Sequence, residues 1–419
     1  MVTTKLPFYP NLLIEKTRFV KNYALSTAFE IAKRISFQKQ KNYTRFIVRL
    51  SIAATAISVA AILLTFSIVN GFQATIANKV YQFWGHIRVA SVSGESIEQD
   101  AKTLAAFQKN PAVKNMSPFV SQSTVLSFEQ DIEGVVARGI PASTQIPFLR
   151  KGKGWTTPTK DSILNEIIIS DNIAKKLNIQ LGATVRLYFL NTGAVQQRKL
   201  KVVGIYHSGI EEYDNQFVLV DILLLQQLNN NELVEGYSID LNENASIENT
   251  TTALQKIMPE NWVATSIKNY YPQIFDWIGV QTINRNVTIT IMLIVAIINL
   301  LTCLFIIMLE RITMIGTLTA LGASQNFIRK IFLFQASFIC WTGILLGAII
   351  GLGLSYLQAT TGWIQMDESA YFIKELPIKM DAIQIISVLI GTAIISYISF
   401  LLPTLWIKKI SPAKAIQFD

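Results

Sequence analysis

The chain is poor in the residues that carry out chemistry. Its 419 residues include only two cysteines and two histidines, and charged residues make up 16%, against about a quarter in an ordinary soluble domain. Cys303 and Cys340 both fall in long apolar runs, so no disulfide framework is expected and each thiol packs as a small hydrophobe. His86 and His207 stand far apart without a cysteine or second histidine nearby, which argues against a zinc centre and leaves both as strand-end residues. No Gly-x-x-x-x-Gly-Lys-Ser/Thr loop occurs: Lys151-Gly-Lys-Gly-Trp155 lacks both the spacing and the hydroxyl, so the chain does not hydrolyse ATP by itself. Nucleophile-elbow and serine-triad spacings are missing as well. The sequence therefore predicts no catalytic residue, no metal ligand and no bound cofactor.

Hydrophobic length is what the chain has in abundance. Four uncharged runs, Leu50 to Val69, Val287 to Leu309, Ile331 to Leu357 and Ile383 to Ile407, each reach the roughly 20 residues that a helix needs to cross about 30 Å of hydrocarbon. They predict membrane spans at 47–70, 286–309, 331–357 and 382–407. The four runs themselves carry no Asp, Glu, Lys or Arg, which argues against a proton relay in the membrane. The first run begins too late for a removable secretory leader.

Basic residues near span ends mark the cytoplasmic side. Residues 1–49 hold ten Lys or Arg against Glu15 and Glu30, and the tail at 408–419 adds Lys408, Lys409 and Lys414 against Asp419. Both termini and the 310–330 connection are thus expected in the cytoplasm, with 71–285 and 358–381 on the other side. The formal charge of +9 is then a signal of topology and gives no support for nucleic-acid binding. Within residues 1–46, Ile31 and Ile35 interleave with basic residues as in a helix lying along the headgroups.

The 71–285 insert has globular composition and reads as α+β. Glu166 to Ser170 is a buried strand, Asp171 is expected to cap a short helix, and Thr184 to Leu190, Leu200 to Tyr206 and Gln216 to Val220 follow as strands. Asp221 caps a helix at 222–228, and 246–258 and 268–285 are helical. The last runs into the second span, so the insert is expected to hang on helical stalks.

Between spans two and three, Ile312, Ile315, Leu318 and Leu321 recur every third residue, Gly322 supplies a left-handed stop and Ser324 caps the next helix. This is a connecting hairpin or a coupling helix that seats in a cytoplasmic motor; the pattern alone does not separate the two. In span three, Gly343, Gly347 and Gly351 form a small-residue ridge suited to close helix packing, and in span two Asn299 and Thr302 are expected to bond to neighbouring helices.

Glu310-Arg-Ile-Thr-Met-Ile-Gly-Thr-Leu-Thr-Ala-Leu-Gly-Ala-Ser324 resembles the signature of FtsX/MacB-type permeases, the four-span subunits of type VII ABC systems. Ser67-Ile-Val-Asn-Gly-Phe-Gln73, Trp84-Gly-His-Ile-Arg-Val89, the stretch from Val203 to Asp214, Tyr371-Phe-Ile-Lys-Glu-Leu-Pro377 and Pro412-Ala-Lys-Ala-Ile416 are similar to the lipoprotein-releasing permeases LolC and LolE. The resemblance covers Phe29 to Phe418. It implies a four-helix membrane protein with a large α+β periplasmic domain between spans one and two, in the bacterial inner membrane. It also implies pairing with a second permease subunit, identical or paralogous, and with two LolD-like ATPase subunits that use ATP and Mg. Its cargo would be lipoproteins, passed on to a periplasmic carrier. Glu310, Arg311, Ile312, Ile315, Gly316, Leu318, Leu321 and Gly322 would then form the coupling helix. An acylated cargo needs an apolar berth, for which Phe66, Val69, Phe72, Val287, Ile289 and Ile291 are candidates. A MacB-like exporter of another cargo and an FtsX-like signalling protein are the alternatives.

Overall fold

The computed structural model describes residues 27–34, 42–146, 148–156, 163–191, 194–229, 232–243 and 245–406. The expectations for 1–26, for Ile35, Lys39 and Lys41, and for the tail from 407 with its Pro412 to Ile416 motif, lie outside these residues. Two compact units divide the chain: residues 1–72, 280–363 and 377–419 form one, and residues 73–279 and 364–376 the other.

In the first unit a short helix α1 spans residues 27–34. The long helices are α2 (Asn42–Trp84), α9 (Pro272–Glu310), α11 (Gln325–Thr361) and α13 (Ala382–Trp406), with α10 (Ile312–Ala320) between α9 and α11. All four long helices are apolar enough to cross a membrane. The glycine ridge decides how α11 meets α2. A Cβ at Gly343 would lie 2.8 Å from Thr55 Cβ, at Gly347 2.6 Å from the Ala56 carbonyl and at Gly351 3.1 Å from Ala60 Cα. Only hydrogen at these positions lets the backbones approach this closely. Asn299 bonds across to α2, whereas Thr302 turns back to the Ile298 carbonyl of its own helix at 2.8 Å. The expected interhelix role of Thr302 is therefore corrected: a hydroxyl one turn from a carbonyl satisfies itself locally. Gly322 has φ of 88°, and Ser324 accepts from the Phe327 amide to start α11.

The second unit takes in the last part of α2, from residue 73 onward. Gly85, at φ of 81°, turns the chain into β1 (Ile87–Ser91), and Ser238 Oγ donates to the Trp84 carbonyl at 2.7 Å. Strand β1 pairs with β10 (Trp262–Ser266) and β9 (Gly236–Leu241), and β9 with the first half of β2 (Val113–Phe128), all antiparallel. Helices α3 (Ala101–Gln108) and α7 (Ile247–Gln255) accompany this four-stranded sheet. The second half of β2 belongs to a different assembly, with β3 (Asp131–Ile140), β5 (Glu166–Ser170), β6 (Thr184–Asn191), β7 (Ala194–Tyr206) and β8 (Phe217–Asp221). The pairings β2–β3, β3–β8, β8–β5, β5–β7, β7–β6 and β6–β2 return to their start, so these six strands close into a barrel. A third partner of β7, β4 (Leu149–Gly152), lies along it outside the ring. Alternation explains the closure: Ile167, Ile169, Val185, Leu187, Phe189, Leu200, Val202, Val218 and Val220 all point into one core.

Several predicted boundaries move. Strand β7 starts at Ala194 because Gln196 to Lys199, too polar to read as a strand alone, pair residue by residue with β6. Ser170, not Asp171, caps α4 (Asp171–Lys176), accepting from the Ile173 amide. That frees the Asp171 carboxylate for the neighbours described below.

Candidate functional site

Helix α10 spends most of its apolar stripe on its own unit. Ile315 is 2% exposed and Gly316 is buried with it, while Leu318 packs partly against Ala28, Ala32 and Ile331. Ile312 is half-buried, and Leu321 lies past the helix end, 84% exposed. The four leucine and isoleucine positions therefore do not share one free face. What α10 presents outward is Thr313, Thr317, Ala320, Leu321 and Gly322, with Glu310 beside it and Arg311 half-buried.

The six berth candidates divide as well. Phe72 is buried, Phe66 and Ile289 pack partly into the helix core, Val69 is half-buried, and Val287 and Ile291 face outward. Beside Phe66 sits a group the sequence reading passed over. Arg285 donates to Asn70 Oδ1 at 2.8 Å and lies over the Phe66 ring at 5.2 Å, and Asn70 in turn donates to Gln384 Oε1. A cation is thus fixed among the outward apolar side chains of this unit by an amide and an aromatic face.

The insert holds two further polar clusters. Arg138 is 3% exposed, with its guanidinium 4.0 Å from the Trp84 ring, 5.0 Å from Phe119 and 5.4 Å from Phe83. Desolvation pushes its pKa down to about 10, still charged at neutral pH. Arg88 pairs with Glu235 at 2.5 Å and covers the same Phe119. Trp84 and Arg88 thus belong to one cluster of rings and cations.

The second cluster surrounds His207, just past β7. Nδ1 faces Asp171 Oδ1 at 2.7 Å and Asp214 Oδ2 at 3.3 Å, and Nε2 faces Glu368 Oε1 at 2.8 Å. Asp214, on α5 (Glu211–Gln216), accepts from the Ser208 amide and hydroxyl and from the Gly209 amide. Burial pushes the Asp214 carboxyl up despite those donors. Burial acts the same way on Asp171, but hydrogen bonds from His207 and Lys175 outweigh it and hold that carboxyl below the usual range. Asp171, His207 and Asp214 bring their polar atoms within 4.8 Å of one another, as a shared cation would require. The 2.7 Å spacing at Nδ1 is that of a charge-assisted hydrogen bond, and the cluster is an ion-pair knot. No cysteine or histidine companion marks this cluster in the sequence, because its three carboxylates lie 36, 7 and 161 residues away from His207.

Comparison with known proteins places this architecture. The model of the MacB-like periplasmic core domain matches residues 50–257, and that of the FtsX-like permease C-terminal matches 286–412. The lipoprotein-releasing system transmembrane protein LolC of Neisseria meningitidis serogroup B is 24% identical over 91% of this chain and 96% of its own. LolE of Haemophilus influenzae is 22% identical over 94% of this chain and 100% of its own, and LolC of the same organism 22% over 90% and 95%. The chain belongs with the FtsX/MacB-type permeases and is similar to LolC and LolE along nearly its whole length. This permease is accordingly a multi-pass membrane protein whose MacB-like domain is inserted between the first and second spans. It stands equally far from the LolC and LolE of one organism, so identity assigns it to neither.

Proposed function

We propose that the permease is the membrane subunit of an ATP-driven system that extracts lipoproteins from the inner membrane for delivery to the outer membrane. The observation that carries this reading is the extent of the match: relatives named for lipoprotein release align over nine-tenths or more of both chains, insert and spans together. Two LolD-like ATPase subunits hydrolyse ATP with Mg, and a second permease subunit, identical or paralogous, completes the membrane part. Both termini and α10 lie in the cytoplasm, in keeping with the excess of Lys and Arg there. The ATPase engages the outward residues of α10, Leu321 and Gly322 foremost. Movement then passes along α2, a single helix of 43 residues, to the insert, which hands the cargo to a periplasmic carrier. Val287, Ile291 and the edge of Phe66 receive the acyl chains. Depletion of the protein tests this: acylated lipoproteins are expected to accumulate in the inner membrane. Normal lipoprotein sorting in depleted cells would overturn the assignment.

A further inference from the structure

Residues 364–376, which join α11 to α13, fold with the insert and make a strap. Met366 donates to the Lys374 carbonyl at 2.9 Å and Leu376 to that of Ile364 at 3.1 Å, closing the segment into a hairpin around α12 (Glu368–Tyr371). Three contacts and one buried side chain fasten it to the rest of the unit. Glu368 meets His207 at 2.8 Å, Lys79 Nζ donates to the Phe372 carbonyl at 2.7 Å, the Phe372 ring stands edge-on to Trp277 at 5.8 Å, and Ile373 is buried. Phe372 has φ of 60°, a left-handed conformation that a bulky residue adopts only when its surroundings hold it there. The room is tight: a Cβ at Gly209 would fall 2.2 Å from Lys79 Nζ and 2.8 Å from Glu368 Oε1.

We infer that His207 is a proton-operated catch for this strap, which grips Glu368 when the imidazole is charged and lets it go when the ring is neutral. Three carboxylates face one ring: Asp171 from α4, Asp214 from α5 and Glu368 from α12. The cations around them are Lys79 from α2, Lys175 from α4, 3.1 Å from Asp171, and Arg150 from β4, whose charge is felt at Lys79. Glu211 and Glu212 on α5 are exposed. An imidazolium donates from both nitrogens at once, to Asp171 and to Glu368. A neutral ring keeps one proton, and one nitrogen lone pair must then face a carboxylate oxygen within 2.8 Å.

The environment decides which contact fails. Nδ1 faces two carboxylates and Nε2 one, so the remaining proton is held at Nδ1 and the Glu368 contact is lost. Glu368 is also the more exposed partner, at 28% against 18% for Asp171 and 1% for Asp214, and water can replace the ring. Protonation of the ring therefore closes the catch and loss of that proton opens it.

The experiment is hydrogen–deuterium exchange on the full-length protein in lipid nanodiscs at about pH 5.5 and about pH 8, corrected for intrinsic exchange. Amides of 364–376 are expected to be protected about tenfold more at the acid pH, the ratio that corresponds to one hydrogen bond to a charged group. His207→Gln and, separately, Glu368→Gln are expected to remove that difference. Amides of Ile167 to Ile169 in β5 report whether the barrel is intact; if His207→Gln disturbs them, Glu368→Gln decides. Equal strap protection at both pH values in the unmodified protein, or a pH step surviving in Glu368→Gln with β5 intact, would overturn the inference.

Discussion

Asn299 donates from Nδ2 to both the carbonyl and the hydroxyl oxygen of Ser51, 3.1 Å away in each case, and so ties α9 to α2 at two points with one amide. Removing the amide with Asn299→Leu leaves Ser51 without this donor and should cost about 1–2 kcal/mol. Thr302→Val, which loses only a bond to its own helix, should cost under about 0.5 kcal/mol. Thermal unfolding of both variants in one detergent checks the contrast, and equal losses would contradict the interhelix assignment.

The same substitution should act with opposite signs at two glycines of α11. At Gly347 a methyl group meets the Ala56 carbonyl at 2.6 Å and Val59 Cβ at 2.8 Å, so Gly347→Ala is expected to destabilise by about 1–3 kcal/mol. Nothing lies within 4 Å of a Cβ at Gly353, and there alanine's better helix propensity should stabilise by up to about 1 kcal/mol. The measurement is again the unfolding midpoint of each variant.

At α10 and its C-terminal cap, burial separates the residues proposed to meet the ATPase from those that hold the fold. Leu321→Asp places a charge on an exposed residue and should leave the unfolding midpoint unchanged while reducing cargo-stimulated ATP hydrolysis of the reconstituted complex at least about tenfold. Ile315→Asp buries an unpaired charge and should lower stability by 3 kcal/mol or more, by an order-of-magnitude argument. Full ATPase coupling in Leu321→Asp would remove that residue from the contact.

Asp171 gives the insert an acid limb. Its carboxyl titrates below the ordinary value in the folded chain, so its stabilising contribution is present above about pH 4 and is lost as pH falls through the lower folded value. Asp171→Asn should flatten the decline of the unfolding midpoint below about pH 4. Parallel curves for the two proteins would show that the carboxylate contributes nothing there.

The membrane helices were legible because bilayer thickness imposes one length and one composition on them, and Gly322, Ser324 and Asp221 took up their expected turns and caps because those depend on neighbours in sequence. The parallel pairings β3–β8 and β5–β7 were not legible, since nothing local distinguishes which buried strands lie side by side. Glu368 illustrates the same limit: an ordinary acid in a loop acquires its meaning only when the fold delivers it to His207. Leu321 shows the reverse error, in which a perfect three-residue repeat runs past the end of its helix and out of the packed face.

Because β2 lends its first half to an open sheet and its second to a closed ring, the two parts of the insert share one piece of backbone. A chimera cut between them, at Phe119 and Val120, would expose two raw strand edges at once and invite aggregation. Domain exchange with a relative should therefore carry the whole of residues 85–271 as one block, whatever division of labour the halves turn out to have.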